Sequence, residues 1–411
     1  MSFEQALSGL TAASQNLDTI GNNIANASTT GYKDVRAEFA DVYASSLWGS
    51  SSTQIGIGTD VAAVTAEFTQ GNITTTGNPL DVAINGNGFF QEQSNGVTTF
   101  SRDGEFSLNA NGTVVSSTGA QLLGYPAVNG VVTSAPPAPI VLSEAPVPPK
   151  ATTTASLSMN LDAGATTPAT TPFNATDSTT YNSSTSMTVY DSQGNSHTIT
   201  AYFVKQPAPA ANQWDVYATG DGTALTSGGS SVLATLQFNS AGTLTAAGTA
   251  NISMPVTTGA ATPLAFPLNF PTASTTQYGV AFSVSANTQD GYATGQLAGF
   301  SIGKDGTITG QYTNGQTLAQ GQIALANFIN PQGLIAIGNN QFTQSQSSGQ
   351  PIVGAPGSGS LGSVQSGALE SSTVDITTEL VNMITAQRVY QANAETVKTE
   401  DQVQQTLMNL R

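Results

Sequence analysis

Apolar residues recur every seven positions at the start of the chain, at Phe3, Leu10, Leu17 and Ile24, and again three places on at Ala6, Ala13, Ile20 and Ala27. This seam predicts a helix over nearly four heptads. The flanking positions Leu7, Gly9, Ser14, Asn16, Gly21 and Asn23 carry no charge, although a two-stranded coil normally uses charges there to choose its partner. Small alanines and neutral flanks suggest a helix packed on several sides within a larger helical array. The same seam also fits an amphipathic helix on its own globular core. Gly9 and Gly21 each cost about 1 kcal/mol in a helix interior, and a lone helix of this length is marginal. Order is therefore expected to come with assembly. The pattern breaks off at GNNIANASTTGYK, Gly21 to Lys33.

The other end mirrors it. From Ile376 the spacing alternates four and three through Leu380, Met383, Gln387, Tyr390, Ala394, Val397, Asp401, Gln404 and Met408. Ser372 and Asp375 have capping-box spacing before this run. Asp375 and Glu379 near its start and Arg411 at its end suit a helix dipole. Terminal segments fray unless tied down, so two apolar terminal helices call for a common partner, most simply each other.

Between them the pattern is β. Apolar alternation marks Asp81–Phe90, Thr98–Leu108, Thr198–Val204, Trp214–Tyr217 and Gln322–Phe328. A turn device recurs at LNANGTV (Leu108–Val114), FNSAGTL (Phe238–Leu244) and IGKDGTI (Ile302–Ile308), with a looser copy at YDSQGNS (Tyr190–Ser196). Each reads as a hairpin whose glycine supplies positive φ; none has the acid density of a calcium loop. The proline cluster Ala135–Pro149 marks a boundary. The fold class is thus α+β, mainly β: terminal helices forming a coiled-coil-like pair, plus two β-rich domains, the outer inserted into the inner. The expected divisions are terminal helices 1–30 and 368–411, a connector 31–70 with a short helix and extended segments, an inner β domain 71–148 and 285–367, and an outer β domain 149–284.

Composition narrows the function. Only 8% of the 411 residues are charged and the net charge is −16, which argues against nucleic acid and anionic membrane surfaces. There is no cysteine, so no disulfide framework or thiolate metal site. MSFEQALSGL lacks a basic n-region and an apolar h-region, so a cleaved secretory signal is not expected; nor is a membrane-spanning helix. Catalysis finds little to use. The sole histidine, His197, falls in an alternating strand and is read as an ordinary strand residue, and one histidine without cysteine excludes a Cys–His pair and a multi-histidine metal site. Asn85-Gly86-Asn87-Gly88 leads into strand-like sequence rather than a helix, so it is no phosphate cradle. No cofactor, metal or catalytic residue is expected.

Several of these stretches resemble the bacterial flagellar axial family of rod, hook and hook-associated proteins. At the termini they are the seam with NNIANASTTGYK, and Glu379–Arg411. EFADVYASS (Glu38–Ser46), GNPLDVAINGNGFF (Gly77–Phe90), FSRDGEFSLNANG (Phe100–Gly112), Gln289–Gln316, ALANFINPQGL (Ala324–Leu334) and the final TLMNLR fit the hook branch best. The resemblance implies a subunit exported uncleaved by the flagellar type III apparatus, polymerising under a hook cap protein into a curved hollow tube. Its terminal helices would line the export channel, inside the inner β layer and the outer domain. The tube would be a universal joint carrying torque from the distal rod protein to the hook–filament junction proteins. Its place would be the flagellar hook, outside the cell.

On this reading Phe3, Leu10, Leu17, Ile20, Ile24, Ile376, Leu380, Met383, Tyr390 and Val397 pack the inner tube within and between copies. Tyr32, Val35, Phe39, Val42 and Tyr43 contact neighbouring copies from the connector. The alternatives are a distal rod protein, typically shorter and without an inserted domain, and a secreted β-rich adhesin or enzyme.

Overall fold

The computed structural model describes residues 2–42, 56–210 and 212–409. Two helices stand near the chain's ends, α1 (Ser2–Ala25) and α2 (Ile376–Asn409). Everything between them is β apart from short 3-10 turns, among the described residues. The chain divides into two units. The first comprises Met1–Glu144, Gly299–Gln311 and Thr317–Arg411; the second comprises Ala145–Ala298 and Tyr312–Gln316.

In the first unit α1 runs antiparallel to α2. The segment after α1 meets the segment before α2, where Thr373 N donates to Tyr32 O at 3.2 Å, and farther out Gly9 lies against the Asn393 side chain. A Cβ at Gly9 would come within 2.9 Å of Asn393 Nδ2, so close helix packing explains a residue that propensity disfavours. A tertiary partner of the kind a marginal helix needs is thus offered by the same chain. Asp375 caps α2, its Oδ1 accepting from Thr377 N at 2.8 Å and Thr378 N at 3.3 Å. Ser372 Oγ instead accepts from Val374 N, so the expected capping box is replaced by a simple Asp cap. Arg411 lies outside the described residues.

Residues 31–70 depart from expectation. Their described part is an antiparallel ribbon of β1 (Val35–Val42) and β2 (Gly58–Ala66), with a bulge between Glu38 and Phe39. It packs along α1, where Thr59 N donates to Ser8 Oγ at 3.3 Å. No short helix occurs among the described residues of this stretch; Tyr43 lies outside them.

The rest of the first unit is a largely antiparallel sheet system. Strand Phe89–Ser94 is buried on both faces: Phe90 enters a core with Ile84, Leu122 and Leu325, while Phe89 enters an aromatic cluster with Phe100, Phe328 and Phe342. The second unit is a β-sandwich. One sheet carries Ala155–Asp162 and Leu264–Phe270, the other Ser183–Tyr190, Ser196–Lys205 and Gln213–Gly220, over one shared core. Strand Ser283–Gln289 pairs with Ala155–Asp162. Residues 285–298, expected in the inner domain, therefore belong to the second unit.

All four recurring turns have one geometry. The first turn residue donates to the carbonyl four places on, and the glycine N–H donates back: Asn109 N to Thr113 O and Gly112 N to Asn109 O, with the same pattern from Asn239, Gly303 and Asp191. The glycines have φ between 73° and 86°. This is the three-residue hairpin loop, a type I turn closed by a left-handed residue.

Candidate functional site

The GNNIANASTTGYK stretch is a junction. Asn23 behaves like a piece of strand: its Nδ2 donates to Val35 O at 2.8 Å and its Oδ1 accepts from Val35 N at 3.2 Å and from Tyr32 Oη at 3.2 Å. Asn26 folds back on Asn22. Gly31 has φ 66° and donates to Glu370 O at 2.7 Å. A Cβ there would meet the Arg102 backbone at 2.5 Å, so both the turn and the close approach require glycine.

Lys33 then enters the interior, its side chain 0% exposed. Its Nζ donates to Glu370 Oε1 at 2.7 Å and to Thr69 O at 2.6 Å. Glu370 Oε1 also accepts from Gly71 N at 2.7 Å, and Oε2 from Arg102 Nη1 at 3.2 Å. Arg102 Nη2 reaches Gly86 O at 2.8 Å. This ionic clasp ties the exit of α1, the β body and the approach to α2 into one point. Burial pushes the Lys33 and Arg102 pKa values down, and the Glu370 charge opposes it in both. Although it closes the stretch where the apolar pattern breaks off, Lys33 is among the largest fully buried side chains.

Beyond the clasp the helices bury their small residues against the fold. Ala6, Ala12, Ala13, Ile20 and Asn23 of α1 are buried, and so are Glu379 and Ala386 of α2. Of the expected tube residues, Ile20 is buried, Leu10, Leu17, Ile24, Met383 and Val397 are half-buried, and Phe3 and Tyr390 are exposed. Ile376 and Leu380 are 49% and 47% exposed, so the buried face of α2 is rotated from the apolar spacing read in the sequence. On the ribbon Tyr32, Val35 and Val42 are half-buried and Phe39 is exposed. A groove of about 730 Å³ runs between α1, α2 and β1, lined by Ala13, Ile20, Phe39, Val389 and the carboxylates of Asp34 and Glu379.

In the second unit His197 is a strand residue, but both its ring nitrogens face carboxylates: Nδ1 lies 2.6 Å from Asp221 Oδ2 and Nε2 3.3 Å from Asp191 Oδ2. Asp191 Oδ2 also accepts from Thr258 Oγ1 at 2.7 Å. The ring clips two hairpin turns together. Burial works against its charged form, but the hydrogen bonds and charges of Asp221 and Asp191 prevail and raise its pKa.

Four family models match in chain order: "Flagella basal body rod protein" over residues 3–33, "Flagellar hook protein FlgE/F/G D1 domain" over 83–162, "Flagellar basal body protein FlaE D2 domain" over 160–292 and "Flagellar basal body rod FlgEFG protein C-terminal" over 365–410. The flagellar hook protein FlgE of Salmonella typhimurium is 45% identical over 415 residues, covering 100% of both chains. Its Escherichia coli counterpart is 45% identical over 417 residues, with the same coverage. That of Treponema pallidum is 32% identical over 461 residues, covering 100% of this chain and 99% of the other. The crystal structure of Helicobacter pylori flagellar hook protein FlgE2 shares the fold, with a TM-score of 0.54 at 14% identity, covering 72% of this chain and 100% of that one. With matched segments that run from the first helix to the last and relatives aligned over their whole length, this chain belongs to the flagellar hook protein family.

Proposed function

We propose that the chain is the structural subunit of the hook, polymerising into a curved hollow tube that passes torque from rod to filament as a universal joint. One observation carries this reading: the helix pair buries alanines and polar residues within the chain and leaves Phe3, Ile376, Leu380 and Tyr390 at the surface. Large apolar side chains at the surface of a helix pair favour burial against other proteins, here copies of the same chain. Phe3, Leu10, Leu17, Ile24, Ile376, Leu380, Met383, Tyr390 and Val397 are the proposed tube contacts, with Ile20 inside each copy. Phe39, Val35 and Val42 are the proposed ribbon contacts.

The role is structural rather than catalytic. The proposed partners are the hook cap protein during growth, the distal rod protein, the junction proteins and the type III export apparatus, with export proceeding uncleaved. The rod alternative is set aside, because the full-length relatives are named hook proteins. Membership of that family also displaces the adhesin or enzyme reading.

Electron microscopy tests the proposal. The full chain forms hollow tubes at high concentration or on salting out. A chain lacking residues 1–25 and 376–411, which retains Lys33 and Glu370, stays monomeric with its β structure intact. If it polymerises as well as the full chain, the helix-tube account is wrong.

A further inference from the structure

The groove beside α2 contains two acids, each with one carboxylate oxygen that finds no donor in the chain. Glu379 is 7% exposed; its Oε1 accepts from Asn382 Nδ2 at 3.1 Å, but its Oε2 is buried without a partner. Asp34 Oδ1 is likewise buried and unpartnered. Burial, then the Glu379 and Glu67 charges, hold Asp34 above the usual carboxylate range. The other charges lining the groove, Arg36 and Glu67, pair with each other at 3.5 Å near solvent. Buried carboxylate oxygens without donors are costly, so the groove suits a cation from outside the chain.

Cations are scarce here, nine Lys and Arg in 411 residues. Lys33 and Arg102 are held in the clasp, and Arg36, Lys150 and Lys398 pair with acids. Arg388, like Lys304, is exposed and makes no ion pair among the described residues, and Arg388 alone of the two stands on a terminal helix, in the middle of α2. It lies nine positions after Glu379, two and a half turns at about 3.6 residues per turn. The two side chains therefore leave α2 on opposite sides and cannot meet within one copy. Beside Arg388 stand Val381 and Ile384, 59% and 51% exposed. One flank of α2 is thus an acidic groove, and the other is an apolar ridge tipped by a cation.

We propose that the Val381–Ile384–Arg388 ridge of one copy docks into the groove of the next, with Arg388 pairing to Asp34 and Glu379. The inference rests on the hook-subunit reading and names the partner of its helices. Ridge into groove is a heterologous contact, and repeated it builds an open helical array rather than a closed dimer.

The test uses the full chain. Arg388 is exposed, so Arg388→Glu is expected to keep the wild-type circular dichroism while raising the critical concentration for tube formation roughly thirty-fold or more. Arg388→Lys is expected to stay near wild type. The chain has no cysteine, so Asp34→Cys and Arg388→Cys can be placed in separate chains, mixed and treated with a short bis-maleimide. The expected product in tubes is the mixed cross-linked dimer. Tubes that form at wild-type concentration from Arg388→Glu, or that lack the mixed cross-link, overturn the pairing and leave the hook reading standing. A wild-type chain that forms no tubes overturns both.

Discussion

Replacing Glu370 by glutamine should be among the costliest near-isosteric changes in the first unit. The carboxylate is fully buried and accepts from Lys33 Nζ, Gly71 N and Arg102 Nη1 at 2.7, 2.7 and 3.2 Å. Glutamine can still accept from Gly71 N, but it offers no charge to two buried cations. Their remaining acceptors are the carbonyls of Thr69 and Gly86. Two lost charge-assisted bonds at about 1.5–3 kcal/mol each give about 3–6 kcal/mol. That agrees with about 3–5 kcal/mol for breaking a buried pair from one side. Both α-helices belong to the first unit, so the helical far-UV circular dichroism signal reports on it. At neutral pH, with a urea slope of about 3 kcal/mol/M, the midpoint should fall by about 1–2 M. The combined change Lys33→Met, Arg102→Leu, Glu370→Leu should recover most of the loss, because no charge is then left unpaired. A loss below about 1 kcal/mol for Glu370→Gln would refute the reasoning, since the cations would then be hydrated and the clasp decorative.

Three further outcomes are expected. The folded His197 pKa lies above the 6.5 of the free ring. Its contribution is therefore complete below the unfolded value and is lost as pH rises through the folded one; in a Trp48→Phe background the urea midpoint read by Trp214 fluorescence should fall as pH rises above the free-ring value of 6.5, and His197→Gln should abolish that fall. Gly31→Ala forces a left-handed alanine against the Arg102 backbone and should cost at least about 2 kcal/mol in the same dichroism assay. The double change Ile376→Ser, Leu380→Ser should alter monomer stability by about 1 kcal/mol or less yet raise the critical concentration for tubes in a sedimentation assay; an equal loss of both would show that these residues serve only their own fold.

Where a local rule determines the structure, the sequence was legible. The heptad seam found α1, and an apolar–turn–Gly pattern, with Thr after the glycine in three of its copies, found four hairpins because one backbone geometry demands it. The two-residue turns Asn95-Gly96, Asn129-Gly130 and Asp221-Gly222, each with both residues at positive φ, carried the strongest short hairpin signal and were passed over. On α2 the apolar spacing was real but the face was not readable. Periodicity finds large apolar side chains, and this helix turns Glu379 and Ala386 to its own chain. The clasp was missed because positions 33, 102 and 370 converge only in the fold. A signal existed: in so weakly charged a chain, a Lys closing GYK, an Arg in FSRDG and a Glu in GALE all sit inside turn or strand sequence rather than on solvated faces.

Location explains why such a chain keeps a dry ionic cluster at all. Buried ion pairs are weak devices for stability but can fix a unique arrangement. Here the carboxylate lies a few residues before α2, one cation lies a few residues after α1, and the other stands in the β body. An apolar cluster would hold these segments together while tolerating slippage among similar side chains. A carboxylate shared by an ammonium, a guanidinium and a backbone N–H accepts one geometry. Both helices thus leave the β body from a single fixed root. On the proposed reading, their exposed apolar residues meet other copies largely through non-directional contacts. A proposed joint that bends while it turns suits this division: rigidity where a subunit's own parts meet, and mainly apolar contact, pinned by few ion pairs, where copies meet.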